Sequence, residues 1–422
     1  MARMYARKRF DIGWLDLGSG LWHCIAPPAR EGRARAQARA EAWFASGMSS
    51  GGALCSLSVR SGLDSYLASL ALPAGSEVLM SALTIPDMWR VIEHHGLVPV
   101  PVDVDARTLA PRIESVKRAA SAKTKILLVA HLFGTRIPLE PYAQVARERG
   151  CLLLEDCAQA FTGPEYKGDP LADVSMFSFG PIKTAAALAG GVLCVRDADV
   201  LSKMRVRQLA QPVQERGAFA QRILKYAGLK ALTSPMLYAA FTRGCRAFGK
   251  DIDRVIQGSV RGFAGGDFFQ KIRRQPSAPL CALIARRLES SDGARVVRRA
   301  EVALELRRAL GSGVEIAGGD ARIHSYWVFT MQTDEPARVV ATLREHGFDA
   351  TAVATLSVLP APNGNASLDA RESRQILARM VYLPLYPELP RRKVAEMAEL
   401  IRSSTRVSTA RSDDDVRVTR LA

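Results

Sequence analysis

Apolar and polar positions along this chain alternate between two rhythms. Runs of about five apolar residues recur at 77–83 (EVLMSAL), 98–104 (VPVPVDV), 126–130, 151–154, 175–179 and 192–195. Continuous runs of that length predict strands buried on both faces. Segments with apolar residues three and four apart separate or follow them, at 86–95, 113–119, 138–149 and 199–210. Gly96 and Gly150 close two of these segments, as helix C-termini favour. The alternation predicts βαβ units with right-handed crossovers. The expected fold class is therefore α/β, with a mostly parallel central sheet flanked by helices and a smaller C-terminal α/β domain.

The flanking regions read differently. Residues 1–50 form an N-terminal entry segment, broken at Pro27 and Pro28, with a helix over 30–44 and a turn cluster at 47–52. Residues 51–210 form the large domain. Residues 211–274 read as a helical insertion that mixes apolar and basic positions around Pro235, and 262–269 (GFAGGDFF) as a glycine-rich turn with exposed aromatics. Two readings suit the insertion: helices packed on the large domain or a partner, or a weak contact with an anionic membrane surface. Linking helices occupy 275–310. The small domain, 311–403, contains a strand at 325–330, a helix at 336–346 and a closing helix at 391–402. The charged tail 404–422 is expected to be disordered.

Composition narrows the function classes. The chain has 422 residues, room for two lobes. No apolar run approaches the ~18 residues of a membrane span. The basic start MARMYARKRFDIGW lacks the apolar core and cleavage site of a signal peptide. Seven cysteines without CxxC pairs argue against a disulfide framework and a zinc site, so no metal is expected and a reducing, cytoplasmic location fits. The net charge of +16 favours anionic partners such as nucleotide phosphates. No zinc-finger, RNP or helix-turn-helix signature accompanies it, so nucleic acid is not expected.

Candidate chemistry concentrates in 151–195. An apolar run ends in Glu155 and Asp156, and Lys183 follows the next strand just before Gly190 and Gly191. A carboxylate ending a buried strand and a lone lysine past the next are two parts that pyridoxal phosphate chemistry needs. The carboxylate keeps the pyridine nitrogen protonated; the lysine forms the Schiff base and shuttles the proton. On a strand Glu155 and Asp156 point to opposite faces, so only one can serve, and spacing does not choose. Ser61 and Gly62 stand where a strand should give way to a helix. That place suits a phosphate, or an ordinary helix start with Ser61 as cap. His131 ends another strand, and a structural hydrogen-bonding role is expected for it.

ED-x-AQA, FSF-x-x-x-K and GG, with VDVD at 102–105 and LPLYP at 383–387, closely resemble the DegT/DnrJ/EryC1/StrS aminotransferases. The resemblance implies a fold type I, pyridoxal 5'-phosphate enzyme. It implies Asp156 on the pyridine nitrogen, Gln159 by the ring oxygen, Ser178 on the phosphate and Lys183 as the covalent anchor. The family's (S/N)-G-T phosphate position falls on Ser61, Gly62 and Leu63, with leucine in place of threonine and Asp64 next. Ile85 stands where many members stack an aromatic ring, and Trp89 is a possible substitute. The family's Gly-x-Asn run is missing near 276–288, where Gln275 or Ser277 is the candidate replacement. The implied activity moves an amino group from an amino acid donor, glutamate by analogy, onto a nucleotide-linked keto-sugar, in a homodimer. Two alternatives stand beside it: a related enzyme acting on a non-sugar ketone, and a degenerate paralogue with a binding or regulatory role. Leu63, Asp64 and Ile85 motivate the second.

Overall fold

A computed structural model describes residues 3–26, 30–260, 263, 267–291, 293–353, 355–362 and 365–418. Seven strands make the central sheet: β1 (Gly52–Ser56), β2 (Glu77–Ser81), β3 (Val98–Val102), β4 (Thr124–Ala130), β5 (Leu152–Asp156), β6 (Val174–Ser178) and β7 (Gly191–Val195). Their spatial order is β1-β7-β6-β5-β4-β2-β3. The ladders β3/β2, β2/β4, β4/β5 and β5/β6 are parallel, while β7 runs antiparallel to both β6 and β1. The predicted α/β class and mostly parallel sheet are therefore what the chain adopts.

The apolar runs become strands because helices cover both faces of the sheet. Helices Val59–Leu70, Pro86–His94 and Ala198–Leu209 bury Leu63, Leu67, Val91, Ile92 and Met204 against one face. Helices Ile113–Ala119 and Glu140–Arg149 pack on Leu79, Leu127, Val129 and Leu153 of the other. Arg30–Ala45 and Ala278–Glu289 close the β1/β7 end.

The helices of the insertion turn part of their apolar residues inward, while Leu224, Met236, Leu237 and Phe248 stay exposed. Phe219, Ile223 and Tyr226 of Arg216–Leu232 join the core formed with Ala278–Glu289. Gly20 of helix Trp14–Ile25 permits close packing, since a Cβ there would lie 3.2 Å from Ile223 and Leu283. Phe268, expected at an exposed turn, is fully buried at the start of the short helix Phe268–Ile272; apolar bulk overrode the glycine-rich context.

The C-terminal part has its own core around Val302, Leu306, Phe329, Leu343, Phe348 and Val394. Its ladder joins Phe329–Gln332 to Met380–Leu383. The single strand expected at 325–330 is interrupted, because Tyr326 adopts a left-handed φ of 47°. Two short ladders tie this part to the carboxyl ends of the parallel strands. Ile323–His324 pairs with Thr135–Arg136, and Ser357–Val358 pairs with Leu83–Thr84.

Both chain ends depart from expectation. Tyr5 bridges to Phe348, and Met4 N–H donates to the Pro235 carbonyl, so the entry segment is stitched into the insertion and the C-terminal part. The closing helix, Arg391–Val418, runs on through residues 404–418, and no glycine or proline interrupts it. Residues 419–422 lie outside the described residues. Among the described residues, no helix is long and apolar enough to cross a membrane.

Candidate active site

The end of β5 sends two adjacent carboxylates to opposite faces. Glu155 is fully buried and its oxygens are taken. Oε2 accepts from Ser175 Oγ (2.7 Å) and Asp169 N–H (3.0 Å), and Oε1 from the Tyr166 hydroxyl and His131 Nε2 (2.7 Å). His131 Nδ1 accepts the Ile137 N–H (3.1 Å), which leaves the ring proton on Nε2, facing Glu155. Burial disfavours the Glu155 charge, but the His131 contact and these donors outweigh it and hold the carboxyl below its ordinary value. Cys157 brings its sulfur near the same pair, within 4.8 Å, yet every Glu155 oxygen is already committed. Glu155 and His131 form a structural network.

Asp156 faces Lys183. Its Oδ1 accepts the Ala158 N–H at 2.9 Å. Burial pushes its carboxyl above the ordinary value, opposed by that N–H and by the charge of Lys183. Lys183 stands in a tight turn, its N–H donating to Gly180 O at 3.1 Å. Burial lowers its amine to about 8; Asp156 pulls upward and Arg60 pushes further down. The amine lies 4.3 Å from the centre of the Trp327 indole, whose Nε1 donates to Ile182 O at 3.0 Å. The loop carrying Lys183 is held from the N-terminus, where Asp11 accepts the N–H groups of Ala185 (3.2 Å) and Ala186 (3.1 Å).

Gln159, three residues past Asp156, reaches the segment that follows β4. Its Oε1 accepts the Phe133 N–H at 2.8 Å. Next to Phe133, Gly134 has φ +103°, and a Cβ there would come within 2.6 Å of both Ser325 Oγ and Trp327 N. Glycine is what lets the 325–327 segment approach β4 and place Trp327 against Lys183.

Ser178 ends β6 in register with Gly191 of β7, which in turn pairs with Ser56 of β1. A Cβ on Gly191 would sit 2.6 Å from the Val59 nitrogen, so its absence brings the N-terminus of helix Val59–Leu70 against the sheet beside Ser178. A cradle that one Cβ would fill, a helix N-terminus, a buried amine and a carboxylate lie together at the carboxyl ends of the strands. These residues fit pyridoxal phosphate: Ser178 and the helix start for the phosphate, Gln159 and Asp156 for the ring, and Lys183 for the aldehyde.

A family model described as the DegT/DnrJ/EryC1/StrS aminotransferase family matches residues 38–231. The matched stretch contains Asp156, Gln159, Ser178 and Lys183. The GDP-perosamine synthase of Escherichia coli O157:H7 is 32% identical over 134 residues, 31% of this chain and 36% of that protein. A UDP-N-acetyl-3-dehydro-alpha-D-glucosamine 3-aminotransferase of Acidithiobacillus ferrooxidans is 32% identical over 143 residues, 33% of this chain and 38% of that protein. The match thus spans little more than a third of these curated relatives. The fold likeness runs further. A putative sugar aminotransferase of Streptococcus pneumoniae, Spr1654 in its PMP form, superposes with TM-score 0.70 over 97% of this chain and 100% of that one, at 15% identity.

Where the chain departs from the motif it resembles, the geometry gives the reason. Ser58, not Ser61, caps the helix: its Oγ accepts the Ser61 N–H at 3.1 Å. Gly62 serves helix–sheet packing, since a Cβ there would fall 2.1 Å from Leu193. Leu63, expected at the phosphate, points into the core beside Leu67 and Val78, because its place in the helix faces the sheet. Asp64 is turned the other way. It accepts from Arg273 Nε (2.9 Å) and Nη2 (2.8 Å) and contacts His95 Nε2 (3.0 Å), lining a cavity of about 560 Å³ on the far side of the helix. Ile85 caps helix Pro86–His94 and packs half-buried between two core clusters. Gln275 and Ser277 are engaged with the 208–214 segment: Gln275 donates to Leu209 O and Gln211 O, and Ser277 Oγ to Gln214. Trp327, Lys8 and Arg299 were not foreseen, since each reaches the site from a distant part of the chain with no local motif.

Proposed function

We propose that this protein is a pyridoxal-phosphate-dependent aminotransferase that transfers the amino group of glutamate to a nucleotide-linked keto-sugar. The observation that carries the reading is the buried amine of Lys183, lowered to about 8 and facing the carboxylate of Asp156. The names of the curated relatives support the sugar as acceptor.

When bound, pyridoxal phosphate supplies an aldehyde that takes up amines and a protonated ring that stores the electron pair released with a proton. The chain's residues do the rest. Lys183 would hold the cofactor, and its free amine would take the proton from the donor's Cα and carry it as the ammonium; an amine near 8 can accept and release a proton at neutral pH. Asp156 holds the proton on the ring nitrogen, a charge-assisted contact in an enclosed site. Gln159 fixes the ring edge while anchored to Phe133 N–H. Trp327 keeps water from the Lys183 amine. Ser178 and the N–H groups at the start of helix Val59–Leu70 receive the phosphate.

The seven free cysteines support a reducing, cytoplasmic setting. Helix Trp14–Ile25 exposes Trp14, Leu15, Trp22 and Ile25 on one face, which supports contact with a second copy and hence a homodimer. A cofactor-free, non-catalytic role is the second reading, favoured by the core burial of Leu63.

The test is the absorption spectrum of the purified protein with pyridoxal phosphate, before and after glutamate, beside Lys183→Ala. A near-visible band that bleaches with glutamate and is lost in the variant supports the aminotransferase. Failure to take up the cofactor supports the non-catalytic role.

A further inference from the structure

Helix Pro235–Ala247 of the insertion leaves an apolar stripe in water. Its inner side is committed. The Tyr238 hydroxyl donates to Asp349, Tyr238 and Ala239 pack on Met4 and Ala6, and the Pro235 carbonyl accepts the Met4 N–H. These contacts fix the rotation of the helix. The other side carries Met236, Leu237, Ala240 and Ala247, and Phe248 follows at the C-cap, all of them exposed. Leu237 is 52% exposed and Phe248 81%. The preceding helix, Arg216–Leu232, exposes Leu224 beside Lys225. The charge on these two helices is one-sided. Between Glu215 and Asp251 the chain has seven basic residues and no acid. Arg243, Arg246 and Lys250 are exposed towards the end of the stripe. Among the described residues, Arg216, Lys225, Arg246 and Lys250 make no ion pair. The C-terminal part, by contrast, matches arginines with acids, as Arg344 with Asp253 and Arg379 with Asp334.

An exposed apolar stripe flanked by unmatched cations is the composition of a helix that lies in a lipid headgroup layer. We propose that helix Pro235–Ala247, with the basic residues of Arg216–Leu232, docks this protein on the surface of an anionic phospholipid bilayer. Met236, Leu237 and Phe248 enter the headgroup layer, and Arg246 and Lys250 meet lipid phosphates. The contact is peripheral, since no described helix is long and apolar enough to cross. A second copy of this chain suits the face poorly. A two-fold contact sets a patch against itself, and here cations would meet cations. Helix Trp14–Ile25 exposes apolar residues but has no lysine or arginine, and it remains the better face for a copy. Nucleic acid would answer the cations but leave Leu237 and Phe248 without an apolar partner. The inference does not rest on the cofactor chemistry.

The experiment sediments the full chain with vesicles of phosphatidylcholine, with and without phosphatidylglycerol. Three proteins are compared: wild type, Leu237→Gln with Phe248→Gln, and Arg246→Gln with Lys250→Gln. All four positions are exposed, so the variants should melt with the wild type, which thermal unfolding checks. Wild type should sediment with the anionic vesicles, remain in solution with phosphatidylcholine alone, and be released as salt rises. The charge variant should bind the anionic vesicles about tenfold more weakly. The apolar variant should lose about tenfold or more, and its residual binding should be the more sensitive to salt. Wild type that stays in solution with anionic vesicles at low salt would overturn the proposal. So would an apolar variant that binds as wild type does, since general basicity would then account for the contact. Short duplex DNA displacing the vesicles equally from wild type and the apolar variant would reassign the face to nucleic acid. Loss of self-association in the apolar variant, with no loss of vesicle binding, would reassign it to a second copy.

Discussion

The Lys183 amine and the Trp327 indole meet at 4.3 Å across a sequence separation that joins the two halves of the molecule. The indole is 7% exposed, and together with Asp156 and Arg60 it sets the Lys183 environment. The free amine is the reactive form. Covalent labelling of cofactor-free protein by pyridoxal phosphate, trapped with borohydride, should therefore rise with pH through about 8 and level off above it. A rate still climbing towards the ordinary lysine value would show that Lys183 is hydrated.

Asp156→Asn keeps the shape of the strand end and removes the charge. Cofactor should still be taken up, while the glutamate half-reaction slows by about a hundredfold or more. Stopped-flow absorbance measures it. An unimpaired rate would leave Asp156 without the ring-nitrogen role.

Glu155→Gln tests the opposite face of the same strand. It puts an amide against His131, Tyr166, Ser175 and Asp169 N–H, four donors arranged around a carboxylate. Stability should fall by about 2–4 kcal/mol in denaturant titrations. Labelling of Lys183 in the folded fraction should change little.

Asp64 links the helix to Arg273, and its carboxyl is held down to about 2 by the Arg273 and His95 contacts against the opposing effect of burial. A carboxyl depressed on folding stabilises the protein above its unfolded value, near 4, and loses that contribution as pH falls towards 2. Asp64→Asn should cost about 1–3 kcal/mol at pH 7. The wild-type and variant curves should converge on acidification. A gap that persists at pH 2 would assign the loss to packing.

Gly62→Ala places a methyl 2.1 Å from Leu193. The helix must shift off the sheet, with a cost of about 1–3 kcal/mol. Cofactor affinity, read by fluorescence titration, should weaken in parallel, because the same helix presents its N-terminus beside Ser178.

The large sheet was legible because its strands are apolar on both faces and helices between them close at glycines such as Gly96 and Gly150, a pattern that survives without tertiary information. Asp156, Gln159, Ser178 and Lys183 were legible because they lie within one stretch of strand and loop, and the structure brings them to one end of the sheet. Leu63 was misread because the family motif places a residue type at a position, whereas the helix phase decides which way a leucine points. Ser61 stands as one candidate for the cap because a helix start carries an uncertainty of one turn, and Ser58 is the residue whose Oγ holds the N–H. Phe268 was misread because local glycine content does not report what a distant helix will cover. Trp327, Lys8 and Arg299 lay beyond local reading altogether, since loop closures across most of the chain bring them together.

The stitching of the first residues fixes when the site can come into being during synthesis. Tyr5 and Arg7 are synthesised well before their partners Asp253, Gly347, Phe348 and Asp349. Lys8 must wait for Trp327 in the same way. The nascent chain therefore carries this segment without its partners while the central sheet forms, and the lysine pocket closes only after Trp327 has been made.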